Sequence, residues 1–226
     1  MAQLQNLTSL ADPALVPFPL ALVIISAVGA AIGTFLNVVI HRGPREESID
    51  FPNSRCPSCG TAIRPYDNVP VLSYLVLGGR CRNCGVSIAR RYPAVEALTA
   101  LLFGLVFLHD GLTLALPFDL VFVAALVALV FIDAEHMLLP DVITLPGIAF
   151  ALVVRALVPN TYGLAFLSEG MLEGWPEWAV SLAGALFGAA VGGGSRWLMG
   201  WLWERLRGVE AMGLGDVKMM FMVGAY

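Results

Sequence analysis

Residues 116–141 read LPFDLVFVAALVALVFIDAEHMLLPD, an apolar run from Leu116 to Ile132 that breaks at Asp133 and gives way to a short connection ending at Asp141. The run approaches the roughly 20 helical residues needed to cross about 30 Å of hydrocarbon. A carboxylate is costly to keep in or beside a bilayer, so one placed there is generally used. This stretch points to helices that cross a membrane, and it singles out Asp133.

Similar runs occupy Phe18–Ile40, Pro93–Leu108, Val142–Val158 and Trp178–Trp203, and a further one begins at Val217 and stops at Tyr226. Hydrophobic residues make up 58% of the 226-residue chain and charged residues 13%, and mean hydropathy is +0.79. Water-soluble globular chains carry about 25% charged residues, so that class is excluded. The expected fold is an all-α polytopic membrane protein of about six transmembrane helices, the last cut short, with a small cytoplasmic zinc-knuckle loop domain. The corresponding division is an outer N-terminal segment over residues 1–17, a first transmembrane helix over 18–40, a four-cysteine domain over 41–92, and a transmembrane domain over 93–226. Residues 1–17 hold no Lys or Arg and no small-residue cleavage site follows the first run, so a retained helix is expected rather than a secretory signal.

Charge placement sets the orientation. Eight of the 13 basic residues lie between His41 and Arg91, and the positive-inside bias puts that segment in the cytoplasm with the N-terminus outside. Alternation then places Asp133–Asp141 and Glu204–Asp216 inside and Asn160–Glu177 outside. The outer loop agrees, since it carries Glu169, Glu173 and Glu177 but no Lys or Arg, whereas Arg205, Arg207 and Lys218 flank the last inner one.

All four cysteines fall in the polar loop His41–Tyr92, as Cys56-x2-Cys59 and Cys81-x2-Cys84 with 21 residues between the pairs. The loop repeats itself, Arg55-Cys56-Pro57-Ser58-Cys59-Gly60 being echoed by Arg80-Cys81-Arg82-Asn83-Cys84-Gly85. Each half reads as one knuckle of a four-thiolate zinc site, with a glycine tolerant of positive φ just after the second ligand. Zinc would hold together a loop too poor in apolar residues to make its own core. Disulfides conflict with the cytoplasmic assignment. With four thiolates closing the shell, the expected role of the metal is structural.

A second acid, Asp216, follows Gly213-Leu214-Gly215 at the inner end of the last apolar segment, on the same side as Asp133. The glycines are expected to permit unusual backbone angles and close approach. Two such carboxylates that meet could share one proton and activate a water, the chemistry of an aspartic protease. Asp141 reads as a residue at or near a helix N-cap, in a capping role. Lys218 reads as an interfacial anchor or an electrostatic neighbour of Asp216. Glu135 and Glu210 read as solvated loop acids, and Glu96 and Asp119 as first-turn carboxylates that complement a helix N-terminus. His41, His109 and His136 have no metal spacing. Gly192-Gly193-Gly194 is expected to bend its helix or pack tightly against a neighbour. Arg155 and Arg196 should reach an interface or pair internally.

Taken in order, Gly33-Thr34-Phe35-Leu36-Asn37-Val38-Val39-Ile40, Asn68-Val69-Pro70-Val71-Leu72-Ser73-Tyr74-Leu75, the two cysteine knuckles, Arg91-Tyr92-Pro93-Ala94-Val95-Glu96, Phe131-Ile132-Asp133 with Leu139-Pro140-Asp141, and Gly213-Leu214-Gly215-Asp216-Val217-Lys218 resemble the type IV prepilin peptidases. The resemblance covers nearly the whole chain. It implies a GxGD-type aspartic endopeptidase of the bacterial inner membrane, its active site facing the cytoplasm, that cuts the leader from prepilins and pseudopilins of type IV pilus and type II secretion systems. It further implies N-methylation of the new terminus with S-adenosylmethionine and a catalytic pair at Asp133 and Asp216. Gly213, Gly215, Lys218 and Asp141 would support the pair. Family members usually continue beyond the point where this chain stops, ten residues after Asp216, which suggests a shortened chain. Membrane lipids are the other expected partners, and no nucleic acid is expected. The alternative from another class is a proton-coupled transporter with a zinc-sensing loop, whose expected inverted halves are not visible in the sequence.

Overall fold

A computed structural model of the chain describes residues 17–45, 47–48, 54–159, 174–208 and 213–226. Glu169, Glu173, Glu210 and nearly all of the expected outer N-terminal segment lie outside the described residues. Among the described residues there are seven α-helices, and the only β-structure among them is two isolated bridges. The chain divides into two compact units, Met1–His136 and Met137–Tyr226.

The first unit contains α1 (Phe18–Arg42), the short α2 (Leu72–Val76), α3 (Arg91–Asp110) and α4 (Leu116–His136). At 25, 20 and 21 residues, α1, α3 and α4 are about 30 Å long or more, and all three are long and apolar enough to cross a membrane. Their outward faces carry Val23, Leu101, Val121 and Val130, each more than half exposed. Such a surface suits lipid rather than water. Helix α1 meets α3 along small residues: a Cβ on Gly29 would stand 2.9 Å from the Thr99 carbonyl oxygen, and one on Gly33 would stand 2.6 Å from Glu96 Cα. In lipid there is no hydrophobic drive between helices, so close backbone approach of this kind is what holds them together. At the far end Ala21, Phe107 and Leu116 form a buried cluster, with Phe18 and Phe107 stacked at 5.3 Å. Gly111, at φ +66°, ends α3 and donates its N–H to the Phe107 carbonyl.

The second unit contains α5 (Asp141–Leu157), α6 (Glu177–Arg207) and α7 (Leu214–Ala225). The 31 residues of α6 qualify as a membrane span. Helix α5 has 17 residues, at the lower limit for crossing, and α7 has 12. The Gly192-Gly193-Gly194 run does not break α6. Instead, Gly188 and Gly224 face each other backbone to backbone, Gly192 faces the Met220 carbonyl, and Gly193 receives the Phe221 ring. Tight packing is thus the role of Gly188, Gly192 and Gly193, and α7 is seated on the stripe they make, whereas a Cβ on Gly194 would meet nothing within 4 Å. Ala151, Ala189 and Ala225 are buried together beside it. Arg155 pairs internally, its guanidinium 5.6 Å from the centre of the Tyr226 ring. Toward the end of α6, Arg205 and Arg207 lie over Trp201 and Trp203, an amphipathic arrangement suited to a membrane–water interface.

Candidate functional site

The two cysteine knuckles are copies in three dimensions as well as in sequence. Cys56 N–H donates to the Thr61 carbonyl at 2.9 Å and Gly60 N–H to the Cys56 carbonyl at 2.9 Å. In the second copy Cys81 N–H donates to Val86 at 2.8 Å and Gly85 N–H to Cys81 at 2.9 Å. Arg55 bridges to Ala62 and Arg80 to Ser87 in the same antiparallel sense. Gly60 and Gly85 sit at φ +68° and +71°, the left-handed turn expected after each second cysteine. This turn brings all four Sγ atoms within 4.8 Å of one another.

The Cys56 and Cys84 sulfurs are 3.8 Å apart. A tetrahedral zinc with Zn–S bonds of about 2.3 Å has sulfur–sulfur edges of about 3.8 Å, whereas a disulfide needs about 2.05 Å. The residues present therefore fit a four-thiolate metal. Cys59 is drawn down to about 6, first by its hydrogen bond with the Thr61 hydroxyl and then by the Thr61 N–H and the Asn83 amide. Cys84 feels a lowering pull from the Val86 N–H, but burial and the neighbouring cysteines outweigh it and push the thiol up to about 11. Like charges this close resist joint ionisation, and a divalent cation among them favours the thiolate form of each.

Side chains brace the centre. Asn83 of the second knuckle donates to the Thr61 hydroxyl of the first at 3.0 Å. Arg82 forks onto Asp67 at 2.6 to 3.0 Å, which holds the Asp67 carboxyl below its usual range. Glu96 fastens this loop to the membrane helices, accepting from the Thr34 hydroxyl of α1 at 2.9 Å and from the Val71 N–H at 2.7 Å. Val71 has φ +59°, rare for a β-branched residue, and it initiates α2. Because α3 begins at Arg91, Glu96 lies past its first turn; the expected helix-terminus role is replaced by this tie. Glu135 is likewise not a loop acid: it lies in α4 and pairs with Arg91.

Asp133 lies in the first unit, exposed and one turn inside α4, which runs on to His136 instead of ending at the acid. Asp216 lies in the second unit, half-buried in the first turn of α7. The N-cap of α7 is Gly213, at φ −68°. Neither Gly213 nor Gly215 adopts a positive φ; Gly215 is needed for closeness, since a Cβ there would stand 3.0 Å from Leu139 Cβ. Asp141 is the first residue of α5 and not its cap, which is Pro140. Its carboxylate accepts from Lys218 Nζ at 2.7 and 2.8 Å, so Lys218 ties the start of α7 to the start of α5.

Sequence reading missed the Glu96 tie, the Lys218–Asp141 pair and Asn37. A signal was present for the first and last of these. Thr34, Asn37 and His41 recur at i, i+3 and i+7 along an otherwise apolar helix, a polar stripe that lipid would not tolerate without partners.

The fold and its centres define a multi-pass helical membrane protein with a four-cysteine knuckle. Residues 27–109 match the bacterial peptidase A24 N-terminal domain and residues 120–226 match the type IV leader peptidase family. Similar proteins named prepilin leader peptidase/N-methyltransferase occur in Pseudomonas aeruginosa (39% identical, covering 92% of this chain and 73% of that protein), Myxococcus xanthus (41%, 92% and 56%) and Neisseria gonorrhoeae (35%, 92% and 74%). No solved structure matches the chain. The chain belongs to the type IV leader peptidase family.

Proposed function

We propose that the chain is an aspartic endopeptidase of the bacterial inner membrane that removes the leader from prepilins and pseudopilins and then N-methylates the new terminus. The observation that carries this reading is Gly213-Leu214-Gly215-Asp216, which opens a helix seated on a glycine stripe, in a chain whose relatives are named for leader cleavage and methylation. Those names also favour a peptidase over the transporter alternative.

In the proposed mechanism Asp133 and Asp216 act as one unit. The ionised member takes a proton from water as the oxygen attacks the scissile carbonyl, while the protonated member donates to that carbonyl, and the roles exchange as the amine leaves. The pair titrates as a whole, with two apparent values. The N-terminus faces outward and the reaction takes place at the cytoplasmic surface, where the substrate's basic leader meets lipid headgroups or acidic side chains. The substrate's apolar helix lies in the bilayer, and its cut site must unwind, because a helical peptide bond is shielded by its own hydrogen bonds.

Cys56, Cys59, Cys81 and Cys84 would hold zinc as a closed structural site, which would fix the geometry of the loop. S-adenosylmethionine, when bound, would supply an electrophilic methyl group for the new terminal amine.

Incubating detergent-purified protein with a prepilin and S-adenosylmethionine and reading the product mass tests both activities. Leader loss with one added methyl is expected, and Asp133→Asn and Asp216→Asn should each abolish the leader loss. Near wild-type cutting by either correctly inserted variant overturns the aspartic pair.

A further inference from the structure

The polar loop that carries the cysteines also carries an apolar face. Helix α2 presents Leu72, Leu75 and Val76 at i, i+3 and i+4, and they are 60%, 66% and 81% exposed. Val69, just before the helix, and Tyr66 are exposed as well. The other side of α2 is held by the loop: the Ser73 hydroxyl accepts from the Val69 N–H and donates to the Tyr66 carbonyl, and the Tyr74 hydroxyl donates to the Ile88 carbonyl. A depression of about 240 Å³ adjoins the apolar side, lined among others by Val69, Leu72, Val76 and Arg82. It is smaller than the roughly 300–1,000 Å³ of small-molecule sites.

Hydrogen bonds set the level of this face along the membrane spans. The Val71 N–H, immediately before α2, donates to Glu96, which also accepts from Thr34. Glu96 lies five residues into α3, about 7.5 Å from its start, and Thr34 lies eight residues before the end of α1, about 12 Å from it. Both helices are long and apolar enough to cross a membrane, and Arg42 and Arg91 occupy the two ends. The chain entering α2 is therefore drawn back along the spans, past those arginines, instead of standing off in water. Elements that lie in a bilayer surface bury their apolar side about 5–10 Å into the boundary of headgroups and acyl chains, which is a similar depth.

Charge agrees with this placement. The Arg64 and Arg82 guanidiniums stand 5.8 and 5.7 Å from the centre of the Tyr66 ring. Asp67 pairs with Arg82, whereas Arg64 donates to the neutral Tyr66 hydroxyl and keeps its full charge. Aliphatic side chains bordered by tyrosine and arginine are the composition of a membrane–water interface. A second copy of the chain suits the face less well, because its five apolar residues are few against the roughly 20–30 per side of a stable protein interface. We infer that the α2 face is seated in the acyl–headgroup boundary of the bilayer, with Arg64 against an anionic phospholipid headgroup. The seating stands on the spans alone. The anionic preference also rests on the cytoplasmic orientation proposed above, since that leaflet is negative, and neither depends on the peptidase chemistry.

Photolabelling of the wild-type full chain tests it, in vesicles of phosphatidylethanolamine with a minority of phosphatidylglycerol. Either lipid carries a diazirine near the headgroup end of one acyl chain, and mass spectrometry maps the label. Label is expected on residues 69–76 as well as on the spans. At residues 69–76 phosphatidylglycerol should label about fivefold above its mole fraction, the effect of one basic residue at an anionic surface, and Arg64→Gln should return it to the mole fraction. Label confined to the spans overturns the seating, as does a Val76→p-benzoylphenylalanine chain that crosslinks to prepilin or to a second copy instead of to lipid. Labelling of residues 69–76 without phosphatidylglycerol enrichment, or enrichment that survives Arg64→Gln, overturns the headgroup assignment. A chain that cuts no prepilin would overturn the peptidase reading and leave these results unchanged.

Discussion

Replacing Gly192 by alanine should damage the protein, whereas the same change at Gly194 should improve it. On α6 a Cβ at Gly192 would stand 2.7 Å from the Met220 carbonyl oxygen and 3.5 Å from Gly224 Cα, both backbone atoms of α7, whereas a Cβ at Gly194 would meet nothing within 4 Å. No side-chain rotation relieves the clash at Gly192. To reach the ordinary contact limit of 3.4 Å, α7 must retreat by 3.4 − 2.7 = 0.7 Å. Overpacking of that kind costs about 1–3 kcal/mol. Both substitutions gain about 1 kcal/mol from the higher helix propensity of alanine, so propensity cancels in the comparison and the packing term remains.

Asp216 sits in the first turn of α7, and a catalytic group misplaced by about 1 Å can lose about 100-fold in rate. For Gly192→Ala, prepilin cleavage should fall about tenfold or more and the unfolding temperature should drop below that of Gly194→Ala, which should equal or exceed wild type. Tryptophan fluorescence in detergent follows unfolding, since Trp197, Trp201 and Trp203 lie on the same helix. Equal unfolding temperatures for the two variants would refute the close seating of α7 on α6.

Elemental analysis should find about one zinc per chain, lost in Cys56→Ser and Cys81→Ser; retained metal in both would exclude the four-thiolate centre. Lys218→Met should cost at most about 1 kcal/mol of stability, because its pair with Asp141 is substantially exposed. A cleavage rate that nevertheless falls more than about tenfold would show that the pair orients α7, and an unchanged rate would limit it to a surface contact. Because Arg82 lowers the Asp67 carboxyl in the folded loop, their link contributes stability above the unfolded carboxylate value of about 3.9, and that stability is lost as pH falls through the lower folded value. Protease sensitivity of the loop should therefore rise with acidification in wild type and change less in Asp67→Asn; identical profiles would show that the link does not control loop stability.

The apolar runs were legible because lipid imposes length and composition directly, so the membrane helices in the sequence lie within a few residues of those in the structure. The cysteine centre was legible because its repeat fixes two turns, and each turn needs a glycine at positive φ. The pairings were not legible. Glu96 reads as a helix-terminus carboxylate because the apolar run starts at Pro93; two more residues of helix, from Arg91, put it past the first turn. Asp141 looked like a cap because a carboxylate beside a proline often is one, and the partner that claims it, Lys218, is 77 residues away. Single-sequence reading finds a residue's local options, whereas a long-range partner selects among them.

The glycines show the same limit from the other side. Before a catalytic-looking acid, Gly213-Leu214-Gly215 suggests backbone freedom, yet neither glycine uses a positive φ, and Gly215 instead lets Leu139 approach. Gly29 and Gly33 on α1 do the same toward α3, as do Gly188 and Gly192 on α6 toward α7. Among packed membrane helices a missing Cβ is more often room for a neighbour than freedom for the chain, since burial in lipid adds nothing to helix association and contact distance carries it. The glycines of these two helix pairs each help to place a polar group: the first pair holds Glu96 and Asn37, and the second seats α7, which carries Asp216 in its first turn. Substitutions at these positions should therefore act on the sites through helix spacing, which separates them from substitutions at Gly60 and Gly85, where a side chain has space but the turn itself would be strained.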